Sequence, residues 1–236
     1  MRFLLLAFCA LALPLPASAQ SLYGPGGLFL HPTASLPEPG KLTPAILVLP
    51  QHDRASNDTR TWISGSLDYG LSRNLEIGAT VVKVSAWDRN PSAGGYFKYR
   101  LLEETPNRPA AAFGLTQLGG GDVNTRVGFF ALRKELGGER FPVTAHLGVL
   151  YSDEVDGIDH HRWEPYAGVE VGLAPKWTLA LEGRARTEAY NGTPLAVTAI
   201  YHPSRDWKLA LTWANSGRSN NPYFGFGAGI SLGSRR

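Results

Sequence analysis

Trp177-Thr178-Leu179-Ala180-Leu181-Glu182-Gly183-Arg184-Ala185-Arg186 divides its chemistry by parity. Glu182, Arg184 and Arg186 share one side of the alternation, while Leu179, Leu181 and Ala185 share the other. A period of two belongs to a β-strand, whose successive side chains point to opposite faces. An arginine facing hydrocarbon at mid-membrane costs roughly 2–4 kcal/mol. In a membrane strand the charged parity must therefore face an enclosed lumen and the apolar parity must face lipid.

The same alternation recurs along the chain. Leu75, Ile77, Ala79 and Val81 share one parity, as do Trp207, Leu209, Leu211 and Trp213. Phe224, Phe226, Ala228, Ile230 and Leu232 alternate with glycines and Ser231. Twelve such segments are predicted: 41–50, 61–70, 75–86, 94–103, 109–118, 124–135, 142–152, 163–173, 177–188, 194–203, 207–216 and 223–232. Their lengths suit the roughly 9–11 residues of a tilted membrane-crossing strand, and no segment carries a helical period. Connections alternate between compact turns (70–74, 104–108, 136–140, 174–176, 203–206) and longer polar loops (51–60, 88–92, 153–162, 188–192, 217–221). That asymmetry is expected of outer-membrane barrels with both chain ends on the short-turn side. Periodicity alone also suits a soluble sandwich. Aromatic placement decides for the membrane, because Trp62, Trp87, Trp163, Trp177, Trp207 and Trp213 fall near segment ends with Tyr69, Tyr151 and Tyr201. Such girdles belong at the two membrane interfaces. The fold expected is an all-β, antiparallel transmembrane barrel of about twelve strands over residues 41–236.

Residues 1–19 have the form of an export signal, with Arg2, an apolar run over 3–13 and the small Ala17-Ser18-Ala19 cleavage site. The run is too short for a membrane helix, and the bulky Phe8 before Cys9 argues against a lipoprotein site. Cleavage after Ala19 removes the only cysteine and the only methionine, so the mature chain offers no disulfide, thiolate nucleophile or cysteine metal site. The 23 Lys+Arg and 20 Asp+Glu become 22 against 20 once Arg2 is lost. Without clustered basic runs, this near-neutral balance excludes a nucleic-acid binder.

Residues 20–40 form a Gly/Pro-rich lead-in, expected to tuck against or into the barrel. Within it, Leu22-Tyr23-Gly24-Pro25-Gly26-Gly27-Leu28-Phe29-Leu30-His31-Pro32-Thr33-Ala34-Ser35-Leu36-Pro37-Glu38-Pro39-Gly40 resembles the opening of YjbH-type outer-membrane proteins. The likeness lies in the Gly-rich start through Gly27, the Pro32-Thr33-Ala34 element and Gly40 before the first strand. It covers about twenty residues and implies a short, one-barrel relative of a family linked to exopolysaccharide production. Gly227-Ala228-Gly229-Ile230-Ser231-Leu232 resembles the C-terminal signal read by the barrel-assembly machinery, although it ends in Leu232 and a Gly-Ser-Arg-Arg tail instead of a terminal aromatic.

Parity assigns a charged lumen set: Asp68, Glu76, Lys98, Arg100, Arg126, Glu164, Glu170, Glu182, Arg184, Arg186 and Lys208. The signs are nearly balanced, which favours ion pairing across the lumen over a ring of one sign. A twelve-stranded barrel is narrower than an open porin, so a narrow or plugged lumen is expected. The densest group of potential ligands, Asp153-Glu154-Val155-Asp156-Gly157-Ile158-Asp159-His160-His161, lacks the oxygen spacing and late bidentate glutamate of a calcium loop. It reads as an acidic exposed loop, and no metal or cofactor is assigned. Twelve-stranded outer-membrane phospholipases use Ser, His and Asn, but His146, His160, His161 and the Ser216–Asn221 stretch do not reproduce their spacing, and no catalytic residue is assigned. The leading expectation is an outer-membrane barrel linked to production or passage of envelope polysaccharide. A narrow general channel is the alternative, and a lipid-modifying hydrolase is third. The expected partners are outer-membrane lipid, lipopolysaccharide, the barrel-assembly machinery during biogenesis and, through the family resemblance, polysaccharide.

Overall fold

The computed structural model describes residues 19–20, 26–53, 58–84, 90–121, 124–137, 141–155, 158–185, 193–215 and 222–233. A small hairpin of β1 (Ala19–Gln20) and β2 (Gly26–Gly27) precedes the barrel strands. These are β3 (Leu42–Asp53), β4 (Asp58–Gly70), β5 (Leu75–Val84), β6 (Ser92–Leu102), β7 (Ala110–Gly119) and β8 (Thr125–Glu135). They continue with β9 (Val143–Val155), β10 (Ile158–Ala174), β11 (Trp177–Arg184), β12 (Leu195–Tyr201), β13 (Trp207–Asn215) and β14 (Pro222–Ile230). Each pairs antiparallel with its sequence neighbour, and β14 pairs with β3 to close a twelve-stranded barrel. All twelve predicted segments are strands. Residues 1–18 of the expected export signal lie outside the described residues.

The alternation decides which face each residue takes. On β4, Ser64, Ser66 and Asp68 are buried while Ile63 and Leu67 are exposed. On β5, Glu76, Thr80 and Val82 are buried against exposed Ile77 and Val81. Outward-facing Ile46, Phe97, Leu115, Phe130, Leu147, Leu181, Leu211 and Phe226 extend this apolar surface around the wall. A water-soluble monomer rarely exposes apolar patches beyond a few hundred Å²; a continuous apolar belt suits lipid. No helix among the described residues is long and apolar enough to cross a membrane, and the strands make the crossing.

Aromatics mark both ends of the belt. At the rim holding the short turns, Trp177 packs against Tyr201 with ring centroids 4.7 Å apart, and Tyr69 and Trp207 are exposed nearby. Toward the opposite rim, Tyr151 and Trp163 pack at 5.0 Å, and exposed Trp213 sits opposite Phe224. Trp62 corrects the predicted girdle. It lies on the inward parity of β4 and packs against Leu49, Val84 and Leu118 inside the barrel. Trp87 falls outside the described residues.

Two of the predicted long loops are shorter than expected. β3 runs to Asp53 and β4 starts at Asp58, and β9 reaches Val155 with β10 starting at Ile158. Pairing of Ile158 with Val155 and Asp159 with Glu154 carries the ladder into the segment expected to be an acidic loop. A hairpin can continue its backbone hydrogen bonds beyond the membrane, whatever the polarity of its side chains.

Candidate functional site

The lumen is the candidate site, and the lead-in occupies one part of it. Residues 28–35 are buried inside the barrel. Leu28 packs in a cluster with Ala180 and Ile200; Phe29 packs with Leu47, Leu49, Ala196, Ala214 and Tyr223. Ala34 meets Ala110, Ala112, Val127, Phe129 and Ala131. The segment turns tightly, with Gly27 bridged to Pro32. A Cβ on Gly27 would collide with the backbone of His31 and Pro32, and Gly40 adopts φ of 78° before β3 begins, a region open chiefly to glycine. Both glycines of the family-like motif therefore have steric reasons to be glycine.

Polar contacts fix the lead-in at one point. The Leu30 N–H donates to both carboxylate oxygens of Glu182, at 2.9 and 3.0 Å, and His31 Nδ1 lies 2.8 Å from Oε2. The His31 ring stacks on Tyr166 with centroids 4.6 Å apart and planes within 8°. The Tyr166 hydroxyl donates to the Pro32 carbonyl at 2.7 Å. Beside this anchor, Arg184 reaches Glu164 at 2.8 Å. An unpaired buried carboxylate is costly, and this arrangement gives the Glu182 oxygens donors supplied by the lead-in.

A second polar layer lies toward the short-turn rim. Lys98 and Glu76 form an ion pair of 2.8 Å, and both side chains are fully buried. Asp68 accepts from the Tyr96 hydroxyl and, at 3.1 Å, from Ser66. His146 Nε2 and Glu170 Oε2 stand 3.7 Å apart, longer than a hydrogen bond. Lys208 and Asp68 line one cleft with Phe29 and Leu47. Arg100 reaches the Arg73 carbonyl at the rim, where Arg133 pairs with Glu104 and Glu135. In the short turn after β12, burial pushes the His202 imidazole below its ordinary value, and the charge of Lys208 lowers it further.

Most of the predicted charged set shares this interior. Asp68, Glu76, Lys98, Glu164, Glu170 and Glu182 are buried, and Arg100, Arg184 and Lys208 are half-buried on the same faces. Arg126 is a correction. It pairs across the ladder with Gln117 on the outward parity of β8, and its exposed side chain lies 3.6 Å from Asp153 near the far rim. The inward parity of β8 is Val127, Phe129 and Ala131, which is apolar because it packs around Ala34. Arg186 and the whole Ser216–Asn221 stretch lie outside the described residues. Sequence reasoning did not single out His31, Tyr96, Tyr166 or Arg133. Parity with Lys98 and Glu164 marks the two tyrosines, whereas His31 had no strand period to place it. Among the described residues, no group of three His, Cys, Asp or Glu is arranged to hold a metal ion.

No protein-family model and no curated protein matches the sequence. Solved barrels do match the fold. The KdgM porin in complex with disordered oligogalacturonate aligns with a TM-score of 0.57 at 11% identity, covering 80% of this chain and 99% of that one. The NanC porin aligns at 0.54 and 10% identity, covering 82% and 100%. An outer membrane channel from Pseudomonas putida F1 aligns at 0.52 and 14% identity, covering 84% and 97%. At these identities the likeness establishes architecture: this chain has the closed twelve-stranded barrel seen in porin-like proteins.

Proposed function

We propose that the protein is an outer-membrane channel of narrow bore whose lumen is obstructed by its own lead-in. The observation that carries this is the burial of residues 28–35 inside the barrel, anchored at Glu182. The three solved barrels above are described as porins or channels, which supports passage over lipid hydrolysis. The lumen's carboxylates and cations are interleaved, as in Glu76–Lys98 and Glu164–Arg184. That arrangement favours small neutral solutes over an acidic oligosaccharide such as the KdgM ligand.

Swelling of protein-loaded liposomes in small neutral sugars tests the reading. The parent should admit the sugar slowly, and Glu182→Ala should admit it faster because the lead-in loses its anchor. Equal, negligible swelling in both, with folding verified by gel mobility, would contradict it. A role with envelope polysaccharide is a second reading: Pro32, Thr33 and Ala34, which carry the resemblance to YjbH-type proteins, all lie in the obstructing segment. Lipopolysaccharide around the wall and the barrel-assembly machinery during insertion are the partners this location implies.

A further inference from the structure

β3 and β14 close the barrel along the shortest ladder of its described strands. Continuous pairing runs only from Val48–Phe226 to Ala45–Gly229. Beyond a gap, Leu42 and Leu232 exchange N–H···O bonds of 2.8 and 2.7 Å. In an antiparallel pair, alternate residues of a strand bond to one neighbour and the intervening residues bond to the other. Leu42 bonds toward β14, so the even-numbered amides of β3 face that strand. Pro44 and Pro50 are both even-numbered and have no N–H to give. The continuous pairing is confined between them.

The inner face of this seam is also poor in side chains. Within the paired stretch, Gly227 lies opposite Leu47 and Gly229 opposite Ala45. Cross-strand side-chain pairs are the unit of sheet stabilisation, and glycine contributes none. Past Val48 and Phe226, β3 continues to Asp53 along β4, and β14 reaches back to Pro222 along β13. A seam with so few backbone bonds and side-chain pairs is where a sheet opens locally.

Phe29 of the lead-in covers that place from inside. It is 2% exposed and shares one cluster with Leu47 and Leu49 of β3 and Tyr223 of β14. A Cβ added at Gly225 would collide with Leu49 Cδ2 and fall 3.1 Å from Phe29 Cζ. The ring therefore lies beside that glycine, at the level where pairing stops. Glu182 holds the amide of the next residue, Leu30, which fixes the backbone that carries the ring. We propose that the lead-in is an internal strap that holds the barrel shut at the β3–β14 seam. Phe29 supplies the inner-face packing that Gly225, Gly227 and Gly229 do not, and its buried apolar area offsets the missing backbone bonds. This role goes beyond obstruction of the lumen and needs no solute to pass.

The test is amide hydrogen exchange of the mature chain in lipid nanodiscs, read by NMR at Ile46, Val48, Phe226 and Ala228, whose amides face across the seam. Phe29→Ala should speed their exchange about tenfold or more, the factor that 1.4 kcal/mol of lost closure gives. Amides between β5 and β6 should keep the parent rate. Phe29→Leu keeps part of the bulk and should give a smaller acceleration at the same amides, so the reading survives if Phe29→Ala does not assemble. Leu28→Ala is the control, because Leu28 packs on Ala180 and Ile200, away from the seam; it should leave the seam at the parent rate. Unchanged seam exchange in both Phe29 variants, or equal acceleration in Leu28→Ala, would overturn the strap. A second arm adds Val48→Cys/Phe226→Cys, a seam pair in a mature chain otherwise expected to lack cysteine. Its disulfide should raise the urea midpoint more in the Phe29→Leu background than in the parent, and equal gains in both would also overturn the strap.

Discussion

Burying a carboxylate is costly unless its oxygens find donors, and Glu182 finds them in the Leu30 amide and the His31 ring of a distant segment. The same rule makes Lys98 and Glu76 a sharp test, since their side chains are fully buried 2.8 Å apart. Lys98→Met removes the ammonium and leaves the carboxylate, and should destabilise the barrel by about 3–5 kcal/mol. Adding Glu76→Leu should recover most of that loss, because a well-packed apolar pair often replaces a buried ion pair without penalty. Urea midpoints of folded fraction, read by gel mobility, check both; a single variant as stable as the parent would contradict the pair's isolation from water. His202 supplies a pH dependence. Its folded-state value is lowered below 6.5 by burial and then by Lys208, with Glu170 pulling the other way. The unfolded chain therefore binds the proton more readily than the folded chain. Stability from this group is present above about pH 6.5 and declines as pH falls toward the folded value. His202→Gln should flatten that part of the urea-midpoint profile, and an unchanged slope would place the dependence elsewhere.

Strand β11 shows how far alternation alone reaches. Glu182 and Arg184 face inward, as their parity requires, while Leu181 is 42% exposed on the outer face. Leu181→Arg should cost roughly 2–4 kcal/mol near mid-membrane and reduce the folded fraction in bilayers. Arg184→Leu should be milder for insertion, although it leaves Glu164 without its 2.8 Å partner. Normal assembly of the first with failure of the second would reverse the register of β11. Other strands were less legible. On β8 the inward face is Val127, Phe129 and Ala131, so polarity no longer distinguishes inside from outside and Arg126 is placed wrongly by it. Trp62 fails for the same reason: the interior beside Leu49 and Val84 is apolar enough to take an indole. Strand ends near Val155 and Ile158 were hidden because backbone pairing continues through polar side chains.

At the scale of the molecule, twelve alternating segments with short and long connections were enough to specify the closed barrel. The lead-in was harder. Its Gly/Pro-rich sequence has no period, so its place depends on distant partners such as Glu182 and Tyr166. Without that segment inside, the apolar interior residues around Phe29 and Ala34 have no evident purpose. The proposed channel depends on residues 28–35 obstructing a lumen that would otherwise conduct. Single-channel recording in planar bilayers tests it, comparing the parent with a variant lacking residues 28–36, both verified as folded by heat-modifiable mobility. Small or brief conductance is expected from the parent, and large, steady conductance from the shortened barrel. Equal conductance from the two, or none from either, would contradict it.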